Sequence, residues 1–99
     1  MKKYRVLVKG QNLFIVSDGE VKCFGFYTPR FVEAMDEGGA ELRAINSIRQ
    51  NGQLRECVMN NQSDQPILVA EEIDELISFE GVEDLSPGLV FYEDRRVTH

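Results

Sequence analysis

Histidine is nearly absent from this chain of 99 residues, in which His99, the last residue, is the single example. Imidazole is the side chain that most often acts as a general base near neutral pH, and it is the commonest protein ligand of transition metals. Its scarcity argues against Ser–His and Cys–His catalysis and against a histidine metal cluster. We therefore expect no catalytic residues, no metal and no cofactor, and a protein that is not an enzyme.

Cysteines and long apolar runs are scarce as well. Cys23 and Cys57 stand in separate segments without CxxC spacing, and each is predicted to be a small buried apolar residue. No stretch approaches the roughly 18 apolar residues of a membrane span. The basic and apolar start of the chain ends at Lys9, too soon for a secretory signal. These absences predict a cytoplasmic protein with reduced thiols and no membrane partner.

Positive charge is in short supply in the second half of the chain. The net charge is −6, and residues 50–99 hold three basic and eleven acidic side chains, whereas residues 1–49 hold eight basic and six acidic ones. Because affinity for nucleic acid comes mostly from Lys and Arg that neutralise phosphates, we expect no nucleic-acid partner. The asymmetry indicates a solvated acidic surface; the alternative is electrostatic complementarity between the halves or between subunits.

Two long apolar–polar segments at the start of the chain predict a β-hairpin. Residues 3–8 alternate, with one face more buried than the other, Ser17-Asp18-Gly19-Glu20 has turn chemistry, and residues 21–34 return as a second strand. Pro29 has no N–H to give to a sheet ladder, so we expect it at an edge position or an irregularity. The interpretation we favour is two strand segments that are joined by a kink at Pro29.

The rest of the chain predicts one helix and two further strands. Asp36 is the expected N-cap of a helix over about 37–50. Residues 66–79 fit either a strand or a helix, and their Ile-Leu-Val start favours the strand. A short strand at 89–92 follows, and a charged tail at 93–99 is expected to fray. The predicted fold is one two-layer α+β domain over residues 1–99, in which one main helix packs on an antiparallel four-stranded sheet in the order β-β-α-β-β.

A single helix covers only part of a four-stranded sheet. Apolar side chains on the open face of that sheet need a partner, and a second copy of the chain or another protein covers them. The sequence therefore predicts a non-catalytic protein-interaction or self-associating module, in its simplest form an acidic homodimer.

The segment GFYTPRFVEA at 25–34 holds the strongest candidate ligand site. Tyr27 offers an aromatic wall, Thr28 a hydroxyl and Arg30 a fixed cation, and Asn12 of the partner strand is expected nearby. Such a group is suited to grip a carboxylate or phosphate, which gives the alternative function of a small-molecule-binding regulatory protein. The opposing interpretation is that Arg30 pairs with Glu33 or with the acidic second half of the chain and that the aromatic residues are core.

Carboxylates are concentrated between residues 71 and 84. On a strand, Glu71 and Glu75 share one face and Glu72 and Asp74 share the other, but the set follows no calcium-loop spacing. We expect a solvated surface; a weak cation site and acid–base catalysis are the alternatives. An acidic surface also suits an antitoxin-like or immunity-like regulator that neutralises a basic toxin, on an analogy of fold alone.

Five segments together resemble a family of small uncharacterised bacterial proteins: YRVLVKGQNLFI, GFYTPRFVEA, AELRAINSIR, PILVAEEIDELISF and LVFYED. The resemblance covers most of the chain, and its most specific part is the segment at 25–34. It implies a bacterial cytoplasmic protein of unknown function and brings no catalytic residues with it. The chain departs from the family pattern at Gly38 and Gly39, where a Glu-rich helix start is expected.

Overall fold

The structure is a computed structural model, and it describes residues 1–52 and 64–93. Cys57 and residues 94–99 of the predicted tail lie outside the described residues, so the predictions for them are not compared with the structure. Glu93, the first residue of that predicted tail, is the last residue of a strand.

Five elements form a two-layer α+β fold in the described part of the chain. In chain order they are β1 (Lys2–Ser17), β2 (Glu20–Ala34), α1 (Glu37–Arg49), β3 (Ile67–Leu76) and β4 (Phe91–Glu93). The four strands form one antiparallel sheet in the order β3-β1-β2-β4. The predicted order and fold class are confirmed, and the ambiguous segment at 66–79 contains a strand.

The β1–β2 hairpin is the longest feature of the fold, and its tip has the predicted turn. Asp18 (φ 55°) and Gly19 (φ 80°) both lie in the left-handed region, which matches the right-handed twist of the strands that they join. The pairing continues to Lys2 opposite Ala34, with a register shift between Gly10 and Leu13. This shift is a β-bulge, which bends β1 locally and increases its twist.

Pro29 does not interrupt β2. It lies in register opposite Leu7, so the predicted kink between two strand segments is wrong. The N–H of Phe31 donates to the carbonyl oxygen of Leu85 at 3.1 Å, which shows that this N–H points away from β1. Backbone N–H groups point to alternate sides along a strand, so Pro29, two residues before Phe31, would also point its N–H away from β1 if it had one. This position lies beyond the Phe24–Phe26 stretch that pairs with β4, so no strand of the described residues needs a hydrogen bond from Pro29. The predicted edge position of Pro29 is therefore confirmed.

The helix covers one face of the sheet and forms the core with it. Asp36 is the N-cap, as predicted, and its Oδ1 accepts a 2.8 Å hydrogen bond from the N–H of Gly39. Ile45 of the helix is only half-buried. The buried apolar residues are Tyr4, Val6, Val8, Leu13, Phe26, Ala34, Ala40, Ala44, Ile48 and Leu89.

The connection from β3 to β4 wraps around the sheet. The ring of Phe79 packs edge-on against Phe31, on the face opposite the helix, with 6.3 Å between ring centroids. The connection then reaches the outer edge of β2 at Leu85, and Leu89 enters the core on the helix side. It therefore covers one end of the face opposite α1, which we call the open face, and leaves the other end uncovered.

Candidate functional site

Arg30 is a buried cation, with 1% of its surface exposed. Its Nη1 donates to Oγ1 of Thr28 at 2.7 Å and to the carbonyl oxygens of Pro29 at 3.0 Å and Pro87 at 2.9 Å. Its Nε donates to Oγ of Ser47 at 3.2 Å. One side chain therefore joins β2, the helix and the connection between β3 and β4.

The acceptors of Arg30 are neutral, so its charge is opposed only at longer range. Burial lowers the pKa of Arg30, and the Asp84 carboxylate partly offsets that effect. The predicted pairing with Glu33 is not present, because Oε1 of Glu33 lies 3.7 Å from Nζ of Lys3 instead. The arrangement makes the guanidinium a clamp that holds three elements together.

The four residues of the predicted ligand site do not form one group. Thr28 and Arg30 lie together under the helix, whereas Tyr27 points to the open face and is 47% exposed. Asn12 lies in the bulge of β1, where its Nδ2 donates to Oδ1 of Asp64 at 2.8 Å and to the carbonyl oxygen of Gln65 at 3.2 Å. The atoms that Arg30 grips belong to the protein, and ligand binding by these residues stays a prediction.

The uncovered end of the open face is aromatic and aliphatic. The rings of Tyr27 and Tyr92 stack with centroids 6.1 Å apart and planes at 19°, and Nζ of Lys9 lies 5.7 Å from the Tyr27 centroid. Val69 is opposite Lys9 on β3. We call this surface the aromatic platform: Lys9, Tyr27, Ile67, Val69 and Tyr92. Each of these residues except Lys9 is more than two fifths exposed.

The middle of the open face is acidic. Nη1 of Arg5 lies 3.3 Å from both Oε1 of Glu72 and Oδ2 of Asp74, so two carboxylates share one cation. The predicted shared face of Glu72 and Asp74 is confirmed. Glu71 falls in a register shift opposite Leu7 and Val8, which interrupts the predicted alternation with Glu75. Within residues 1–52 and 64–93, no group of three His, Cys, Asp or Glu side chains is placed to hold a metal ion.

A groove of about 600 Å³ runs beside the outer edge of β2. The helix supplies one wall and the connection between β3 and β4 supplies the other, with the β2 edge as the floor. No carboxylate of the described residues lies within 4.0 Å of the Arg43 guanidinium, which is exposed on the helix wall. The lining residues are Phe31, Val32, Glu33, Arg43, Asn46, Ser47, Gln50, Phe79 and Leu85.

The sequence drew attention to Arg30, which is buried, and not to Arg43. Arg43 is exposed on the helix and lines the groove. Lys9 and Tyr92 were not selected either, because the pairing of β4 with β2 that brings the two tyrosines together is a tertiary contact. The alternation of residues 3–8 does place Lys9 opposite the buried face, and that was the one available signal.

Comparison with protein-family models, with curated proteins and with solved structures found no match to this chain. The resemblance to small bacterial proteins therefore stays a prediction. Across the described residues, no helix is long and apolar enough to cross a membrane.

Proposed function

We propose that this chain is a non-catalytic module that associates with a second copy of itself through the open face of its sheet. The observation that carries the proposal is the aromatic platform, in which two stacked tyrosines and two β3 aliphatic residues are exposed on either side of Lys9. Aromatic side chains bury a large area at a small entropic cost, and exposed apolar side chains grouped on one face are typical of protein interfaces.

The charges on the open face favour a second copy as the partner. Lys9 has no carboxylate of the described residues within 4.0 Å, whereas Glu72 and Asp74 share Arg5 and leave one negative charge in excess. Leu7 separates these two regions along β1, since it lies opposite Pro29 and Glu72. A two-fold axis through the Leu7 region exchanges the two ends, so that Lys9 of each copy meets the acidic region of the other.

The test is the self-association constant of the purified chain, measured by sedimentation equilibrium. Lys9→Glu and Asp74→Lys alone should each weaken dimerisation, because like charges then face each other in the homodimer. The new carboxylate faces Asp74 in the first variant, and the new ammonium faces Lys9 in the second. An equimolar mixture should restore the dimer, since the introduced carboxylate of one variant meets the introduced ammonium of the other, and the native Lys9 and Asp74 still meet at the opposite end. Leu42→Ser is the matched control, because Leu42 is 64% exposed on the helix and lies away from this face.

Two results would contradict the proposal. The first is a wild-type chain that sediments as a monomer at every concentration. The second is a dimer that both single charge variants leave unchanged. If the dimer is weak for each single variant and returns when the two are mixed, unfolding of either variant is not the cause of the weakening, since an unfolded chain would not recover on mixing.

A further inference from the structure

We infer that the groove beside the outer edge of β2 binds an extended peptide segment that carries a carboxylate. The peptide pairs with the backbone of β2 at Glu33, next to the Phe31–Leu85 hydrogen bond, and places its carboxylate on Arg43. This site is separate from the aromatic platform and goes beyond the proposed self-association.

One residue at this edge, Glu33, offers its backbone groups to an extended partner. Beyond Phe24–Phe26, which pair with β4, the outer edge of β2 has no neighbouring strand among the described residues. Phe31 points its N–H to this edge, where Leu85 accepts it. The register of β2 against β1 is unbroken from Phe31 to Glu33. The N–H and C=O of Glu33 therefore point outward as well, into the groove that Glu33 lines.

The contact between Leu85 and Phe31 shows how such a peptide is held. The carbonyl oxygen of Leu85 accepts the outward N–H of Phe31, which is the kind of hydrogen bond that a neighbouring strand would make at this position. A peptide that continues the line of Leu85 reaches Glu33 one strand period further along. Main-chain hydrogen bonds of this kind supply affinity for any extended sequence, and the neighbouring side chains supply selectivity.

The side chains of the groove select the chemistry of the peptide. Phe79 and Leu85 form an apolar wall that suits one aliphatic side chain. Arg43 presents a guanidinium without a carboxylate partner among the described residues, whereas the Glu33 carboxylate is paired with Lys3 at 3.7 Å. The unopposed charge of the groove is therefore positive, and a guanidinium binds a carboxylate through two parallel hydrogen bonds. An acidic side chain or a free peptide carboxyl end meets this requirement.

Pro29 limits the site to the end of β2 that lies next to the groove. A proline offers no N–H to an added strand, so Pro29 blocks pairing along the outer edge at its own position. Because proline lacks an N–H, a proline at Glu33 tests the site. Glu33→Pro removes one outward N–H and leaves the pairing with β1, as Pro29 does naturally, and Glu33→Thr removes the same carboxylate but keeps the N–H.

The first step of the experiment is to select, from a library of short random peptides with free carboxyl ends, those that bind the full chain. The affinity of each enriched peptide is then measured by fluorescence anisotropy. We expect enriched peptides with an acidic residue or a required carboxyl end next to an aliphatic residue. Glu33→Pro should weaken their binding by about tenfold or more, and Glu33→Thr should retain most of it. Arg43→Gln should remove the preference for the acidic peptide over its amidated counterpart.

Three outcomes overturn this inference. One is a selection in which no peptide is enriched on the wild-type chain relative to the Glu33→Pro variant. Another is binding that Glu33→Pro and Arg43→Gln leave unchanged. The third is loss of self-association in the Glu33→Pro variant but not in the Glu33→Thr variant, because it would show that a second copy pairs with the backbone of this edge. Peptide binding without self-association would contradict only the proposed function, so the two failures are distinguishable.

Discussion

Nη1 of Arg30 donates a 2.9 Å hydrogen bond to the carbonyl oxygen of Pro87, which lies 57 residues further along the chain. This bond fixes the connection between β3 and β4 against the centre of the fold. The same guanidinium reaches the helix through Ser47. Arg30 therefore acts within the structure as a fastening between three elements, and the stability of the fold should depend on the shape of its side chain.

Replacing Arg30 by Met should lower the free energy of unfolding by about 2–4 kcal/mol, because the buried hydroxyl of Thr28 and three partly buried acceptors, the carbonyl of Pro87 among them, lose their donor. Arg30→Lys should lower it by a similar amount, since an ammonium group does not span both Ser47 and Pro87. Urea unfolding measures both changes. Arg49→Met, at an exposed position in the last turn of the helix, is the control. A loss below about 0.5 kcal/mol for both Arg30 variants would show that the clamp is not structural.

Asp84→Asn should destabilise the fold by about 0.5 kcal/mol, since its carboxylate opposes the desolvated charge of Arg30 from an exposed position, where water screens the interaction. The substitution keeps Oδ1, which accepts a 2.9 Å hydrogen bond from the N–H of Ser86, so it removes charge and not the local turn. In a double-mutant cycle, the cost of Asp84→Asn should fall close to zero when Arg30 is already Met. An unchanged cost in that background would mean that Asp84 acts through the turn and not through Arg30.

Gly10→Ala should cost about 2 kcal/mol or more of stability, because an added Cβ at Gly10 would lie 2.1 Å from the ring of Phe26. Phe26 is fully buried, so its ring has no free space to move into. Gly88→Ala is the matched control, since nothing lies within 4 Å of its Cβ position. Thermal unfolding of the two variants compares them directly, and equal melting temperatures would refute the close contact.

Gly38→Ala should raise the stability by about 0.5–1 kcal/mol, because alanine favours the helical state and the new Cβ is 3.7 Å from Oδ1 of Asp36, an ordinary contact. Gly39→Ala should gain less, because its Cβ would be 3.3 Å from Oδ1 of Asp36 and 3.4 Å from Cβ of Ala34. The two variants differ by one position in the first turn, and urea unfolding ranks them. A larger gain at Gly39 would contradict the contacts that limit that position.

Local chemistry determined the elements of this protein. Alternation indicated the first part of β1, the left-handed preferences of Asp18 and Gly19 set the hairpin turn, and Asp36 set the start of the helix. Each signal lies within a few neighbouring residues, so the sequence is sufficient to predict it. The order of the elements and the α+β class follow from these signals together.

Tertiary structure decided where each functional side chain points. The sequence left Arg30 either as a cation that grips a ligand or as the partner of an acidic residue, but the Leu85–Pro87 segment folds over the edge of β2, buries Arg30 and keeps Pro29 in register. The same connection forms one wall of the groove, and β4 brings Tyr92 to Tyr27. These contacts join residues far apart in the chain, and their energies depend on burial and on partners that no local pattern contains. The sequence by itself therefore determined the elements, whereas packing between distant segments decided which arginine is a buried clamp and which is exposed in the groove.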